Sequence, residues 1–244
     1  MSIREIPGEP VEIERMTVTA PSTLRLFLDT ADVEQWQAWL PTQLFFGATT
    51  NPTLLEKAKV NCTVKSLKEL AARCFDLGTK ELHLQTWGTH IPTIVEVGQQ
   101  LAAIDPRVVV KVPMTKVGTS AAARLRHAGI RVTLTAVFKS HQALVAAALD
   151  AEYAAPYLGR ITDAGGDGRS EIAAMQAALN GVKSPTRLLV ASIRSPADLA
   201  FLSAKGLDTF TLSPAIATQL FDIDLTNAAA LNFNRAARRM GASE

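Results

Sequence analysis

From Leu24 to Phe221 the chain repeats one unit eight times, a short β-rich run followed by a longer Ala/Leu-rich segment with apolar residues at helical spacing. The runs begin at Leu24, Leu44, Glu81, Arg107, Arg131, Glu152, Arg187 and Asp208. The amphipathic segments between and after them cover 31–40, 63–77, 91–104, 120–128, 140–149, 170–179, 196–204 and 216–221. Eight such alternations in about 220 residues, with no break in composition, are the arithmetic of a single parallel (β/α)8 barrel, a TIM barrel. A doubly wound open sheet is the competing arrangement. It calls for a Gly-rich nucleotide turn after the first strand, and LFLDTADV from Leu26 has none.

The barrel is therefore expected over 24–225, behind an N-terminal extension at 1–23 and before an extra C-terminal helix at 226–244. That helix carries Leu231, Phe233, Ala236, Ala237 and Met240 along one stripe, with Arg235, Arg238 and Arg239 towards its end. Two positions are open to it, against the barrel or on a neighbouring subunit. Within the repeat, Asp29–Thr30 and Ser195–Pro196 read as helix starts, and Gly78, Gly129 and Gly206 as left-handed caps that close helices. The AGGDG run at 164–168 lacks the Lys and Ser/Thr of a phosphate-cradling P-loop and reads as a flexible loop. Trp36, Trp39 and Phe45 read as packing residues.

Composition narrows the function classes. The 25 Lys+Arg against 23 Asp+Glu give a net charge of +2, too small and dispersed for a general nucleic-acid or membrane surface. Two cysteines, Cys62 and Cys74, suit a reducing interior, and no run approaches the roughly 18 apolar residues of a membrane span. The N-terminal residues lack the apolar core of a signal peptide. A cytoplasmic protein is the expectation. His83, His90, His127 and His141 show no metal-ligand spacing, so neither a metal nor a cofactor is expected.

Barrel enzymes place their chemistry at the carboxyl ends of the strands. Here those ends carry Asp29; Thr49, Thr50 and Asn51; Gln85 and Thr86; Lys111; Thr133 and Thr135; Tyr157 and Arg160; Ser192 and Arg194; and Ser213. Lys111 stands apart because it alone among the lysines lies inside an apolar strand. A desolvated amine is costly to keep charged, and a neutral amine is the nucleophile that Schiff-base chemistry on a ketone requires. The competing reading is a structural lysine paired with an acid. Asp29 is read either as a general acid/base or as the cap of the 31–40 helix. Arg160 and Arg194, with Ser192, have the chemistry of a phosphate clamp. Convergence of all these groups on one rim favours the catalytic readings over the bland ones.

Around Lys111 the chain resembles the small-subunit transaldolases and the fructose-6-phosphate aldolases. The motifs that carry the resemblance are LFLDTAD, GATTNPTLL, VVVKVPMT, GIRVTLTAVF, AEYAAPYLGRITD and LLVASIRSP, in order from about Leu24 to Phe221. The resemblance implies a class I mechanism without metal, in which Lys111 attacks the ketone of a ketose phosphate such as fructose 6-phosphate. It further implies that Asp29 exchanges the proton of the hydroxyl at the cleaved bond and that Asn51, beside Thr50, holds donor hydroxyls. Gln85, Thr135 and Tyr157 would hold the catalytic water, and Arg160, Ser192 and Arg194 the phosphate. Transaldolases resemble one another in having Glu where this chain has Gln85, Phe where it has Tyr157 and Ser where it has Ala155, so these three look like the aldolase version. Gly159, Arg194 and Phe138 look more like the transaldolase pattern. Members of the family form rings, decamers among them, so a homo-oligomer is implied.

Overall fold

The computed structural model describes residues 23–243. The N-terminal extension, apart from Thr23, lies outside the described residues. The eight strands are β1 (Arg25–Asp29), β2 (Gly47–Thr49), β3 (Glu81–Gln85), β4 (Val108–Pro113), β5 (Val132–Val137), β6 (Tyr153–Pro156), β7 (Arg187–Leu188) and β8 (Thr209–Leu212). Neighbours along the sheet are consecutive in sequence and parallel, and β1 also pairs with β8. The circle closes through Val190, just past β7, whose N–H donates to the Thr209 carbonyl at 3.0 Å while its own carbonyl accepts from the Thr211 N–H at 2.9 Å. The open-sheet alternative is thereby excluded. The regular part of the seventh run is only Arg187–Leu188, and beyond it Leu189 and Ala191 keep the pairing with β6 through N–H groups that donate to the Ala154 and Pro156 carbonyls at 2.8 Å each.

Alternation along each strand sorts the core into two layers. Outward residues such as Leu28, Ala48, Leu84, Val110, Leu134 and Leu212 are fully buried against the helices. Each large aliphatic side chain buried this way contributes about 1.5–3 kcal/mol, which makes the periodicity of the runs the main determinant of the fold. Inward residues fill the barrel: Phe27, Val109, Tyr153 and Leu189 pack about its axis, with Phe27 set edge-on to His83 at 5.0 Å between ring centroids.

At the amino-terminal end, charges that open the runs pair with one another. Arg131 bridges Glu81 (Nη2 to Oε1, 2.6 Å) and Glu152 (Nε to Oε2, 2.7 Å), and the Tyr153 hydroxyl donates to Glu81 Oε2 at 2.8 Å. Arg25 bonds the Tyr153 hydroxyl, and Arg187 pairs with Asp208. Burial alone would raise the Glu81 carboxyl. The bonds and charges of His83 and Arg131 outweigh it and hold Glu81 at about 2.

Several local expectations need correction. The first helix is Val33–Trp39, and its cap is Asp32, whose carboxylate accepts from the Glu34 N–H, not Asp29. Two short helices at the rim, Pro52–Lys57 and Leu158–Asp163, were not legible as amphipathic periods because each spans under two turns. The 164–168 run is not simply a loop: Asp167 caps, and buried Gly168 begins, the helix Gly168–Gly181. Gly78, Gly129 and Gly206 do take positive φ where helices end. Trp36 is fully buried, and Trp39 packs edge-on to Phe45 and stacks on Phe221. The C-terminal helix runs Asp224–Arg239 and buries none of its residues, so it does not cover the barrel. Among the described residues no helix is long and apolar enough to cross a membrane.

Candidate active site

One pocket of about 300 Å³ opens among the carboxyl ends of the strands, and its walls bring together Asp29, Asn51, Lys111, Tyr157, Arg160, Ser192 and Arg194. Seven of the ten candidates from the sequence thus meet around a single space. The other three lie just behind its wall. Gln85 sits beside Lys111 in the β3–β4 register. Thr135, itself buried, shares a 3.0 Å hydrogen bond with the Tyr157 hydroxyl. Thr50 offers its backbone: its carbonyl oxygen accepts from Lys111 Nζ at 2.9 Å.

Lys111 is placed by β4, whose Val108, Val110 and Val112 point outward into the helix layer and turn Lys111 inward. The residue is 4% exposed, and among the described residues it forms no ion pair. The structural reading, a lysine paired with an acid, is not what the structure contains. The amine instead meets one neutral carbonyl at the edge of the pocket. Asp29 ends β1 and accepts from the Thr49 hydroxyl at 2.6 Å, and Thr49 is linked in turn to Thr211 at 2.6 Å. This leaves the carboxylate oriented by side chains rather than spent on a helix end.

Asn51 does two things at once. Its Oδ1 caps the helix Pro52–Lys57 by accepting from the Leu54 N–H at 3.0 Å, and it lines the pocket. Tyr157 has Phe138 edge-on at 5.6 Å and the Arg160 guanidinium 5.0 Å from its ring centroid. Next to Thr135, Ala136 takes a φ of 59° where the β5–β6 register slips, a bulge that sets the course of the strand below Tyr157.

The cationic wall is built by close backbone contact. Ser192 has a φ of 58°, a left-handed conformation uncommon for serine, and its carbonyl accepts from the Gly159 N–H at 2.9 Å. A Cβ on Gly159 would lie 2.2 Å from Arg194 Nε and 2.6 Å from the Ser192 oxygen, so only glycine allows this approach. The Arg194 backbone is fixed by its N–H to Asp198 at 3.1 Å, and its guanidinium pairs with Asp163 at 2.6 Å. That pair is 58% and 63% exposed, so an anion entering the pocket can displace it at little cost.

Sequence reasoning passed over Thr53, Leu54, Lys57 and Ala191 as pocket walls, and named Ser213 only as a strand end. The Asn51–Pro52 pair was the available signal: a cap followed by proline starts a helix and puts Lys57 on its last turn, at the pocket. Among the described residues no group of three or more His, Cys, Asp or Glu is arranged to hold a metal ion.

Comparison with known proteins agrees with this rim. The family described as Transaldolase/Fructose-6-phosphate aldolase matches residues 26–244. A probable transaldolase of Phenylobacterium zucineum is 34% identical over 83% of this chain and 91% of its own length. Probable transaldolases of Aquifex aeolicus and Thermus thermophilus are 33% and 34% identical, over 84% of this chain and 92% and 93% of theirs. Among solved structures, a mandelate oxidase mutant with a monooxide FMN adduct superposes with a TM-score of 0.55 at 16% identity. It covers 78% of this chain, which spans 64% of that one, and the likeness is one of fold. With a family match over nearly all of the described barrel and relatives aligned along most of their length, the chain belongs to the transaldolase/fructose-6-phosphate aldolase family and is an aldolase-type enzyme of dihydroxyacetone transfer.

Proposed function

We propose that this enzyme cleaves a ketose phosphate such as fructose 6-phosphate through a Schiff base on Lys111. The observation that carries the reading is the Lys111 amine, buried and, among the described residues, bound only to a carbonyl, on the wall of the pocket that Asp29, Arg160, Ser192 and Arg194 also line. In the proposed sequence the amine adds to the C2 ketone, and loss of water gives the imine. Asp29 takes the proton of the C4 hydroxyl as the C3–C4 bond breaks. Glyceraldehyde 3-phosphate leaves, and its electrons remain on Lys111 as a dihydroxyacetone enamine. Arg160, Ser192 and Arg194 hold the phosphate through charge-assisted bonds, and Asn51 the donor hydroxyls.

The enamine then has two fates. Protonation and hydrolysis release dihydroxyacetone, as in an aldolase, and we favour this because Tyr157, hydrogen-bonded to Thr135, offers a phenolic proton on the pocket wall. The second reading is a transaldolase that passes dihydroxyacetone between sedoheptulose 7-phosphate and glyceraldehyde 3-phosphate. It draws support from the relatives, which are named as probable transaldolases. The deciding assay is release of glyceraldehyde 3-phosphate from fructose 6-phosphate, first alone and then with erythrose 4-phosphate. Sustained release without acceptor supports the aldolase, and release only with acceptor the transaldolase. Lys111→Met should keep the fold and abolish both; residual turnover overturns the Schiff-base reading.

We further infer a homo-oligomer joined through the helix Asp224–Arg239. Leu225, Leu231, Phe233 and Met240 are 84%, 57%, 72% and 87% exposed, an apolar load that an isolated chain leaves in water. A cytoplasmic location belongs to the same proposal, in keeping with two free cysteines and a sugar-phosphate substrate.

A further inference from the structure

The cationic wall of the pocket is fastened by a carboxylate that does not line it. Asp198, buried in the first turn of the helix Pro196–Ser203, turns Oδ2 to the Arg194 N–H at 3.1 Å and the Ser195 N–H at 3.0 Å. Its Oδ1 accepts from Arg169 Nε at 2.9 Å and Nη2 at 2.7 Å, and the Arg169 guanidinium lies 5.1 Å from the Phe201 ring centroid. A capping box accounts for the bond from Ser195 alone. The bond from Arg194, which precedes the cap, and the pair with Arg169, on the helix Gly168–Gly181, are not needed to start a helix.

Two Asp–Arg pairs thus cross between the segment 158–169, which carries Arg160, and the segment 192–198, which carries Ser192 and Arg194. Arg194 reaches back to Asp163, and Arg169 reaches forward to Asp198. The two pairs differ in burial. Both members of the Asp163 pair are open to water, whereas the Asp198 side chain is 7% exposed. A phosphate can therefore draw the Arg194 guanidinium off Asp163 while Asp198 keeps its partners. Arg194 has room for that movement, because it lies on the wall both of the active pocket and of an outer pocket of about 460 Å³ that Asp163 and Asp198 line.

We propose that Asp198 is a positioning residue, which fixes the Arg194 main chain so that the guanidinium passes from Asp163 to the substrate phosphate about a stationary point of attachment. A side chain held on a fixed backbone gives up less freedom when its ligand binds. Arg169 supports Asp198 by balancing its buried charge, which leaves Oδ2 for the two N–H groups. The proposal rests on Arg194 as a phosphate ligand, and the experiment separates the two.

The dissociation constant of inorganic phosphate is measured by titration calorimetry on the full-length enzyme, with kcat and KM for fructose 6-phosphate and thermal unfolding in parallel. Arg194→Met should weaken phosphate about tenfold or more; an unchanged constant overturns the clamp and this proposal together. With the clamp established, Asp198→Ala should weaken phosphate and raise KM about tenfold with kcat little changed, through loss of hydrogen bonds to a charged acceptor. Asp198→Asn, whose amide oxygen can accept from both N–H groups, and Arg169→Met, which removes the ion pair alone, should stay within about threefold of wild type. Asp198→Ser, too short to reach the Arg194 N–H, repeats the truncation should Asp198→Ala fail to fold. Phosphate affinity within about twofold of wild type in the folded truncation, or equal losses in Asp198→Asn and Arg169→Met, would leave Asp198 a purely structural part and overturn the proposal.

Discussion

Replacing Glu81 by Gln tests the ionic floor of the barrel in a way that pH can read. The Glu81 side chain is 6% exposed and meets Arg25, Arg131, Tyr153 and His83, and its carboxyl is lowered from 4.5 to about 2. A tenfold change in an equilibrium is worth about 1.4 kcal/mol, so that lowering corresponds to about 3 kcal/mol of folding stability at neutral pH. The sign follows from linkage: a carboxyl depressed in the folded state stabilises above its unfolded value and loses that contribution as pH falls towards the folded one. Glu81→Gln should therefore be about 3 kcal/mol less stable than wild type at pH 7, in line with the cost of breaking a buried ion pair. At pH 3, between 4.5 and about 2, the gap should shrink to roughly 1 kcal/mol. Chemical denaturation at fixed protein concentration, at both pH values, measures the two gaps. A difference that is the same at pH 7 and pH 3 would refute the reasoning.

Three other outcomes follow from the rim and the tail. Gly159→Ala pushes a methyl group into Arg194 and the Ser192 backbone carbonyl, so it should lower stability by about 1–3 kcal/mol and raise KM for a phosphorylated donor about tenfold; thermal unfolding and steady-state kinetics against a non-phosphorylated donor check it. Asp163→Asn frees the Arg194 guanidinium, so inorganic phosphate should inhibit at two- to threefold lower concentration, roughly the worth of an exposed ion pair; an unchanged inhibition constant counts against the clamp. Removal of residues 224–244 should reduce the assembly mass seen by light scattering, and an unchanged mass would show that the exposed helix joins nothing.

Much of the molecule was legible in one dimension. Short apolar runs such as Val108–Pro113, buried on both faces, and helical spacing between them depend on side chains a few residues apart, so the eightfold repeat and its barrel could be read directly. The same local logic turned Lys111 inward among outward-facing valines. It failed where the element was shorter than its own period, at Pro52–Lys57 and Leu158–Asp163, and there the sequence hid Lys57 and the exact ends of the β6 and β2 rim. It also left Asp29 open between two readings, because a carboxylate before a helix looks the same whether it caps that helix or turns to Thr49 on the next strand.

What only the tertiary structure decided is every relation across the barrel. That Lys111 meets the Thr50 carbonyl 61 positions away, that Gly159 admits Arg194, and that His83 on β3 reaches Thr133 on β5 all depend on closure of the ring. Closure sets strand neighbours and register, and with them which polar groups share a space of about 300 Å³. Residue types along the chain therefore determined the architecture and the inventory of the rim, and the circular register determined which of those groups touch.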